Sequence, residues 1–274
     1  MLGTISKASR VLDLFTAASP EWGVSEVAAH LQVAKSSAHD LLATLTEIGL
    51  LRRLPDGRYR LGWRIPELNH ALLEGTDFLR VARTHTQRLA DQLRATIHVA
   101  ALREHHVIYL DKAVGWRTAD FTTTDVGLAA PMHCTALGKV LLAALDVEAA
   151  DALIDRNGLS RHTPRTITSS TRLREELLAI RGRGSGYDFE EAYSRVCCVA
   201  APIRDSKGQV QAAVSASVPL RYFQTHQDLL KRGVQAVAAN ISLANRSAVD
   251  GRGTTVRVSG HDGRSGRRSP MQAV

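Results

Sequence analysis

Apolar residues recur at Ala38, Leu41, Leu42, Leu45 and Ile48, a spacing that puts them on one face of a helix. The opposite face carries Lys35, Ser36, Ser37, His39, Asp40, Thr44 and Glu47. Gly49 follows the last apolar position and suits the left-handed residue that closes a helix. A shorter helix is expected ahead of it. Ser25 is its N-cap, Glu26 meets the positive end of the dipole, and Val27 and Leu31 are its apolar positions. Gln32-Val33-Ala34-Lys35 is the right length for the turn between the two. Ala8, Val11, Leu12 and Phe15 mark a first helix packed beneath them. After Gly49, the runs Leu50 to Leu54 and Arg58 to Leu61 flank Pro55-Asp56-Gly57, and Asp-Gly is a strong hairpin signal. This succession over residues 1–64 predicts a winged helix-turn-helix, a module that reads DNA.

Arg64-Ile65-Pro66 opens a further helix through Leu68, Ala71 and Leu72, a linker over 65–76, with the proline tolerated in its first turn. Gly75-Thr76-Asp77 marks the domain boundary. Beyond it, Leu79, Val81, Leu89 and Leu93 predict a long helix, followed by strands at Thr96 to Leu102 and Val107 to Lys112. Helices at Leu137 to Leu145, Ala149 to Arg156 and Leu173 to Arg181 precede strands at Cys197 to Arg204 and Gln209 to Val218, and Tyr222 to Asn245 closes the domain as a helix. Hairpin-linked strands mixed with helices give an α+β class with an antiparallel sheet over 77–246. The Gly-, Ser- and Arg-rich remainder, 247–274, has too little apolar content to fold and is expected to be a disordered basic tail.

Composition narrows the function. No run of 18 apolar residues exists, so no membrane span is expected, and three cysteines, two of them adjacent, make a poor disulfide framework; the cytoplasm is the expected location. The formal net charge of the chain is +8. Residues 1–75 nevertheless carry eight basic and eight acidic side chains. The positive charge is local: Leu50 to Arg64 holds five arginines against one aspartate. Arg52, Arg58 and Arg60 are therefore the candidate phosphate contacts beside a helix whose exposed residues Lys35, Ser36, Ser37, His39, Asp40 and Thr44 face double-stranded operator DNA.

The segments Lys35-Ser36-Ser37-Ala38-His39-Asp40-Leu41-Leu42 and Gly57-Arg58-Tyr59-Arg60-Leu61-Gly62 are followed by Pro131-Met132-His133-Cys134-Thr135-Ala136-Leu137-Gly138-Lys139. Gly186-Tyr187-Asp188-Phe189-Glu190-Glu191 then leads to Cys198-Val199-Ala200-Ala201-Pro202-Ile203. In this order the chain resembles the IclR family of bacterial transcription regulators up to about Asn245. The resemblance implies a C-terminal GAF-like domain that binds a small organic or aromatic acid and modulates operator affinity, in a repressor that is a homodimer or homotetramer. It implies pocket positions at Ala119, Thr122, Ala136, Leu137, Asp188, Val196, Cys198, Ser215 and Ser217. Serine hydroxyls and helix-start N–H groups suit a carboxylate, and the apolar members enclose it. Three positions depart from the family pattern: Asp40 stands where many members have arginine, Arg195 where glycine is usual, and Arg204 where an aromatic residue or histidine is usual. Arg195 is expected to shape the pocket mouth and to favour an anionic effector.

Cys198 with Asp188 and His133 has the residue types of a nucleophilic site, but a cysteine between valine and alanine in a strand reads as a packed small hydrophobe. Cys134, Cys197, Cys198 and His133 are zinc-ligand types without a Cys-x2-Cys spacing, and adjacent strand cysteines face opposite ways. No catalytic residue, metal or cofactor is therefore expected, and His105-His106 is expected to be a solvated turn. The alternative is a metal-dependent sensor or an enzyme acting on a small molecule in the C-terminal domain.

Overall fold

The computed structural model describes residues 3–116 and 124–252. They form two compact units that divide between Arg80 and Val81, inside a helix and slightly past the expected boundary at Gly75-Thr76-Asp77.

In the first unit, α1 (Gly3–Leu12), α2 (Val24–Leu31) and α3 (Lys35–Glu47) bury Val11, Val27, Leu31, Ala38, Leu42 and Leu45 against one another. An antiparallel hairpin, β1 (Leu51–Arg53) and β2 (Tyr59–Leu61), closes this core with Leu51 and Tyr59. Gly57 holds the left-handed turn position, φ 86°, and Leu54 N–H donates to the Arg58 carbonyl at 2.8 Å. Two local expectations fail. Ser25 is not the cap of α2: the helix starts at Val24, and the Glu26 carboxylate reaches back to accept the Gly23 N–H at 2.7 Å. Ile48 lies past the end of α3 and is 42% exposed, so its spacing does not bring it into the core. Helix α4 (Arg64–Gly75) buries none of its residues.

The second unit is built on a six-stranded antiparallel sheet, order β5-β4-β3-β8-β7-β6. Its strands are β3 (Thr96–Arg103), β4 (His106–Val114), β5 (Ala129–Ala130), β6 (Gly186–Phe189), β7 (Val196–Arg204) and β8 (Val210–Pro219). Strands β5 and β6 escape the sequence pattern because they are short and interrupted by small or charged residues. Around the sheet run α5 (Asp77–Leu93), α6 (Ala136–Ala143), α7 (Val147–Asn157), α8 (Ser170–Arg183) and α9 (Leu220–Arg252), the last kinked at His226. Helix α9 extends past the expected end at Asn245, to Arg252; the rest of the expected basic tail, 253–274, lies outside the described residues.

Strand alternation sorts the two faces. Tyr187 and Phe189 meet Phe223 of α9 edge-on, so Asp188 between them points to the opposite face, where α6 lies. On that face Ala100, Ala200 and Ala213 share a core with Ala136, Leu137 and Val140, and their small size lets α6 approach the sheet closely. Gly138 sets the other limit of this approach, since a Cβ there would stand 2.4 Å from the Met132 carbonyl oxygen.

Arg195 explains its own departure from the family pattern. Its φ is 67°, a left-handed conformation in which a glycine is unstrained, and its N–H donates to Glu190 Oε1 at 2.7 Å while its carbonyl accepts the Leu220 N–H. A side chain there costs about 1–2 kcal/mol, partly offset by the extra unfolded-state freedom of glycine, roughly 0.4–1 kcal/mol. Arg195→Gly is expected to stabilise the protein by about 0.5–1 kcal/mol in chemical denaturation; a loss of stability would show that the arginine side chain holds this turn.

Candidate functional site

Helix α3 presents the surface foreseen from its sequence. Lys35, Ser36, Ser37, His39, Asp40 and Thr44 are all exposed, while Ala38, Leu42 and Leu45 anchor the opposite face. His39 Nδ1 lies 3.7 Å from Asp40 Oδ1, which orients that pair at the middle of the face.

The hairpin arginines are arranged differently from the expectation. Arg58 Nη2 donates to Glu26 Oε2 and to the Glu21 carbonyl, both at 2.9 Å, and Arg60 pairs with the Glu21 carboxylate. The Gly23 N–H and, after it, the Arg58 pair hold the Glu26 carboxyl below its ordinary range. Arg64 Nη1 donates to the Ile48 carbonyl at 2.8 Å, satisfying an open carbonyl at the end of α3. Arg52 stacks over Trp63 with its guanidinium carbon 5.5 Å from the ring centroid. Arg58 and Arg60 therefore clasp the hairpin to the segment that starts α2, partners that the expected DNA contacts did not anticipate. The pairing was not legible because the partners are distant in sequence.

In the second unit the sheet register assembles a polar row. Asp188 pairs with Cys198, Cys198 with Ser217 and Ser217 with Thr96, while His98 pairs with Ser215 in the adjoining row. Cys198 Sγ and Ser217 Oγ are 3.1 Å apart, and His98 Nε2 meets Thr124 Oγ1 at 2.7 Å. All of these except Thr96, with Ala136 and Leu137 at the start of α6, surround a cavity of about 20 Å³, room for about one water molecule. Ala136, Leu137, Asp188, Cys198, Ser215 and Ser217 thus come together as expected. Val196 is not in this lining; it is buried beside Pro219 at the end of the sheet. Ala119 and Thr122 lie outside the described residues. The exposed Arg195 is not in the lining either. His98, Tyr109, Thr124, Thr135, Ala192 and Tyr193 also line the cavity. For His98 the signal was its place on an otherwise apolar strand.

Burial pushes the Asp188 carboxyl up to about 7, with the nearby Glu191 charge adding to the shift and the Glu191 N–H and Lys139 opposing it. Asp188 Oδ1 accepts the Glu191 N–H at 2.6 Å. Burial also raises the thiols, Cys197 to about 11 and Cys198 well above its ordinary value, which removes the thiolate that a nucleophilic site needs.

A second group lies across the start of α6. One ligand-capable atom from each of His133, Cys134 and His162 lies within 4.8 Å of the others. His133 and His162 line a separate cavity of about 320 Å³ together with His105, His106 and apolar residues of α7. His105 is not merely solvated: its Nδ1 is buried without a hydrogen-bond partner. His162 was not singled out from the sequence, and Cys197 and Cys198 do not join this group.

Known proteins share this architecture. The model of the IclR helix-turn-helix domain matches residues 4–55, and that of the bacterial transcriptional regulator IclR C-terminal domain matches residues 70–243. The chain is 30% identical over 218 residues to the HTH-type transcriptional regulator XynR of Escherichia coli, covering 79% of this chain and 86% of that protein. It is 26% identical to the transcriptional repressor IclR of Escherichia coli, covering 79% and 80%. A crystal structure of an IclR homolog complexed with 4-hydroxybenzoate, from Microbacterium hydrocarbonoxydans, superimposes with a TM-score of 0.78 at 26% identity, covering 89% of this chain and 99% of that one. The chain belongs to the IclR family of bacterial transcriptional regulators, which are DNA-binding proteins and not enzymes.

Proposed function

We propose that this protein is an effector-responsive repressor whose C-terminal domain binds a small organic or aromatic acid and thereby changes operator affinity. The observation that carries the reading is the polar cavity at the start of α6. The first N–H groups of a helix precede its internal hydrogen-bond pattern, so those of Ala136 and Leu137 suit a carboxylate, and Ser215 and Ser217 supply hydroxyls opposite. The 4-hydroxybenzoate held by a structural relative is an acid of this class, and a relative with a stated role is a repressor. In the cytoplasm, the N-terminal half of α3 enters the major groove through Lys35, Ser36, Ser37, His39, Asp40 and Thr44. Arg52 lies beside the duplex backbone, and Arg58 and Arg60 hold the hairpin in place and add positive field.

The active species is a homodimer, with a tetramer as its higher assembly. On α4, Ile65, Leu68 and Leu72 share one helical face; Leu68 and Leu72 are exposed, as are Leu61 and Trp63 just before the helix. A contiguous apolar surface of this kind marks a protein interface.

Three outcomes follow. Arg52→Ala is expected to weaken binding to DNA flanking the protein's own gene irrespective of sequence and to lower the salt slope by about 1, read by fluorescence anisotropy; an unchanged slope takes Arg52 off the backbone. Leu68→Glu with Leu72→Glu is expected to shift the dimer to monomer in sedimentation velocity, and an intact dimer would move the interface elsewhere. An anionic effector beside Asp188 raises that carboxyl further, so binding takes up a proton. Affinity is then highest below about 7 and falls as the pH rises through that value. Calorimetry in buffers of different ionisation enthalpy reads this uptake, which Asp188→Asn is expected to abolish; a wild-type signal independent of buffer would place the acid away from Asp188.

A further inference from the structure

The group at the start of α6 contains donors that the regulatory reading does not use. His133 is 6% exposed, and its Nε2 lies 2.9 Å from the Ser160 carbonyl. A carbonyl only accepts, so Nε2 carries the proton and Nδ1 keeps the lone pair. This is the outer-shell arrangement that orients a metal-ligating imidazole. His162 is exposed and its ring centroid lies 5.7 Å from that of His133. Cys134 is fully buried directly after His133, in the turn that leads to the Thr135 cap of α6.

We propose that His133, Cys134 and His162 form a Zn²⁺ site whose fourth coordination position opens toward the adjoining cavity. Two imidazoles and a thiolate are borderline-soft donors that suit zinc and do not suit magnesium or calcium, which take oxygen ligands. Tetrahedral zinc holds its ligand atoms about 3.5 Å apart, so the present spread of up to 4.8 Å closes by about 1 Å through side-chain rotation. Metal binding replaces the S–H bond with a Zn–S bond, and the thiol proton leaves to solvent. The cavity of about 320 Å³ next to His133 and His162 gives the open position access to a water or a small anion.

The test uses the full chain, stripped with a chelator and titrated with Zn²⁺ alone in competition with a chromogenic zinc indicator. Co²⁺ serves as the spectroscopic substitute. One Zn²⁺ per chain is expected to bind with release of about one proton. His162→Ala, an exposed position, should weaken that binding by more than about tenfold. The Co²⁺ form should show a thiolate charge-transfer band that Cys134→Ser removes. Equal Zn²⁺ affinity in wild type and His162→Ala, or a wild-type Co²⁺ spectrum without a thiolate band, overturns the proposal. If Cys134→Ser does not fold, these two readings decide it without that variant.

Discussion

The C-terminal domain depends on one buried ion pair. Lys139 of α6 is 1% exposed, and its Nζ lies 2.5 Å from Glu191 Oε1 in the turn between β6 and β7. Removing either partner from such a pair strands a buried charge, at a cost of about 3–5 kcal/mol. From this pair the neighbouring parts follow. The Glu191 N–H holds Asp188, while Thr163 and Thr166 bond the Glu190 and Glu191 carbonyls and so fix the segment that carries His162. Glu176 of α8 lies 3.9 Å from the same ammonium and is itself bound by Arg183. One lysine thereby positions the helix start, the acid of the cavity and the loop opposite it. A hydrophobic replacement pair could match its stability and would keep the backbone hydrogen bonds of residues 190 and 191, but it would leave Glu176 without the ammonium beside it.

Helical periodicity made the N-terminal unit legible, because each of its helices has one buried face and one wet one. The reading failed where a contact is not periodic. Ile48 keeps the spacing of α3 but lies beyond its end, and Ser25 gives way to a glutamate that reaches back to the chain. In the second unit, β7 and β8 are buried on both faces and read as strands from their apolar runs, but such a run does not say which residues face α6. The resemblance supplied Asp188, Cys198, Ser215 and Ser217. His98 and Tyr109 come from the other half of the sheet, and only the pairing of β3 with β8 brings His98 beside Ser215. His162 lies 28 positions from Cys134, and no local pattern joins them.

Charge at the DNA-reading end follows the same distinction between sequence and space. Five arginines in a short segment suggest a uniformly positive hairpin. Two of them are partly neutralised by Glu21 and Glu26, and a third is turned to the end of α3. The clasp sets the hairpin's attitude to α2 through groups that are half-exposed, where each ion pair contributes little stability. Its value is geometric: it fixes β2 against the segment that starts α2.

The cavity's size bears directly on how a ligand could switch the protein. About 20 Å³ cannot hold an aromatic acid, so the proposed effector would require a different, more open arrangement of the same walls. A ligand that binds only the open form shifts the population by its differential affinity for the two, and that difference is what regulation requires. The walls are the start of α6 and the row Asp188, Cys198 and Ser217, and the former is tied to the β6–β7 turn through Lys139 and Glu191. Opening therefore cannot stay local: displacing α6 outward strains a buried ion pair, while moving the two together carries the Thr163–Thr166 segment with them. Interiors packed this closely rearrange between discrete states and do not stretch.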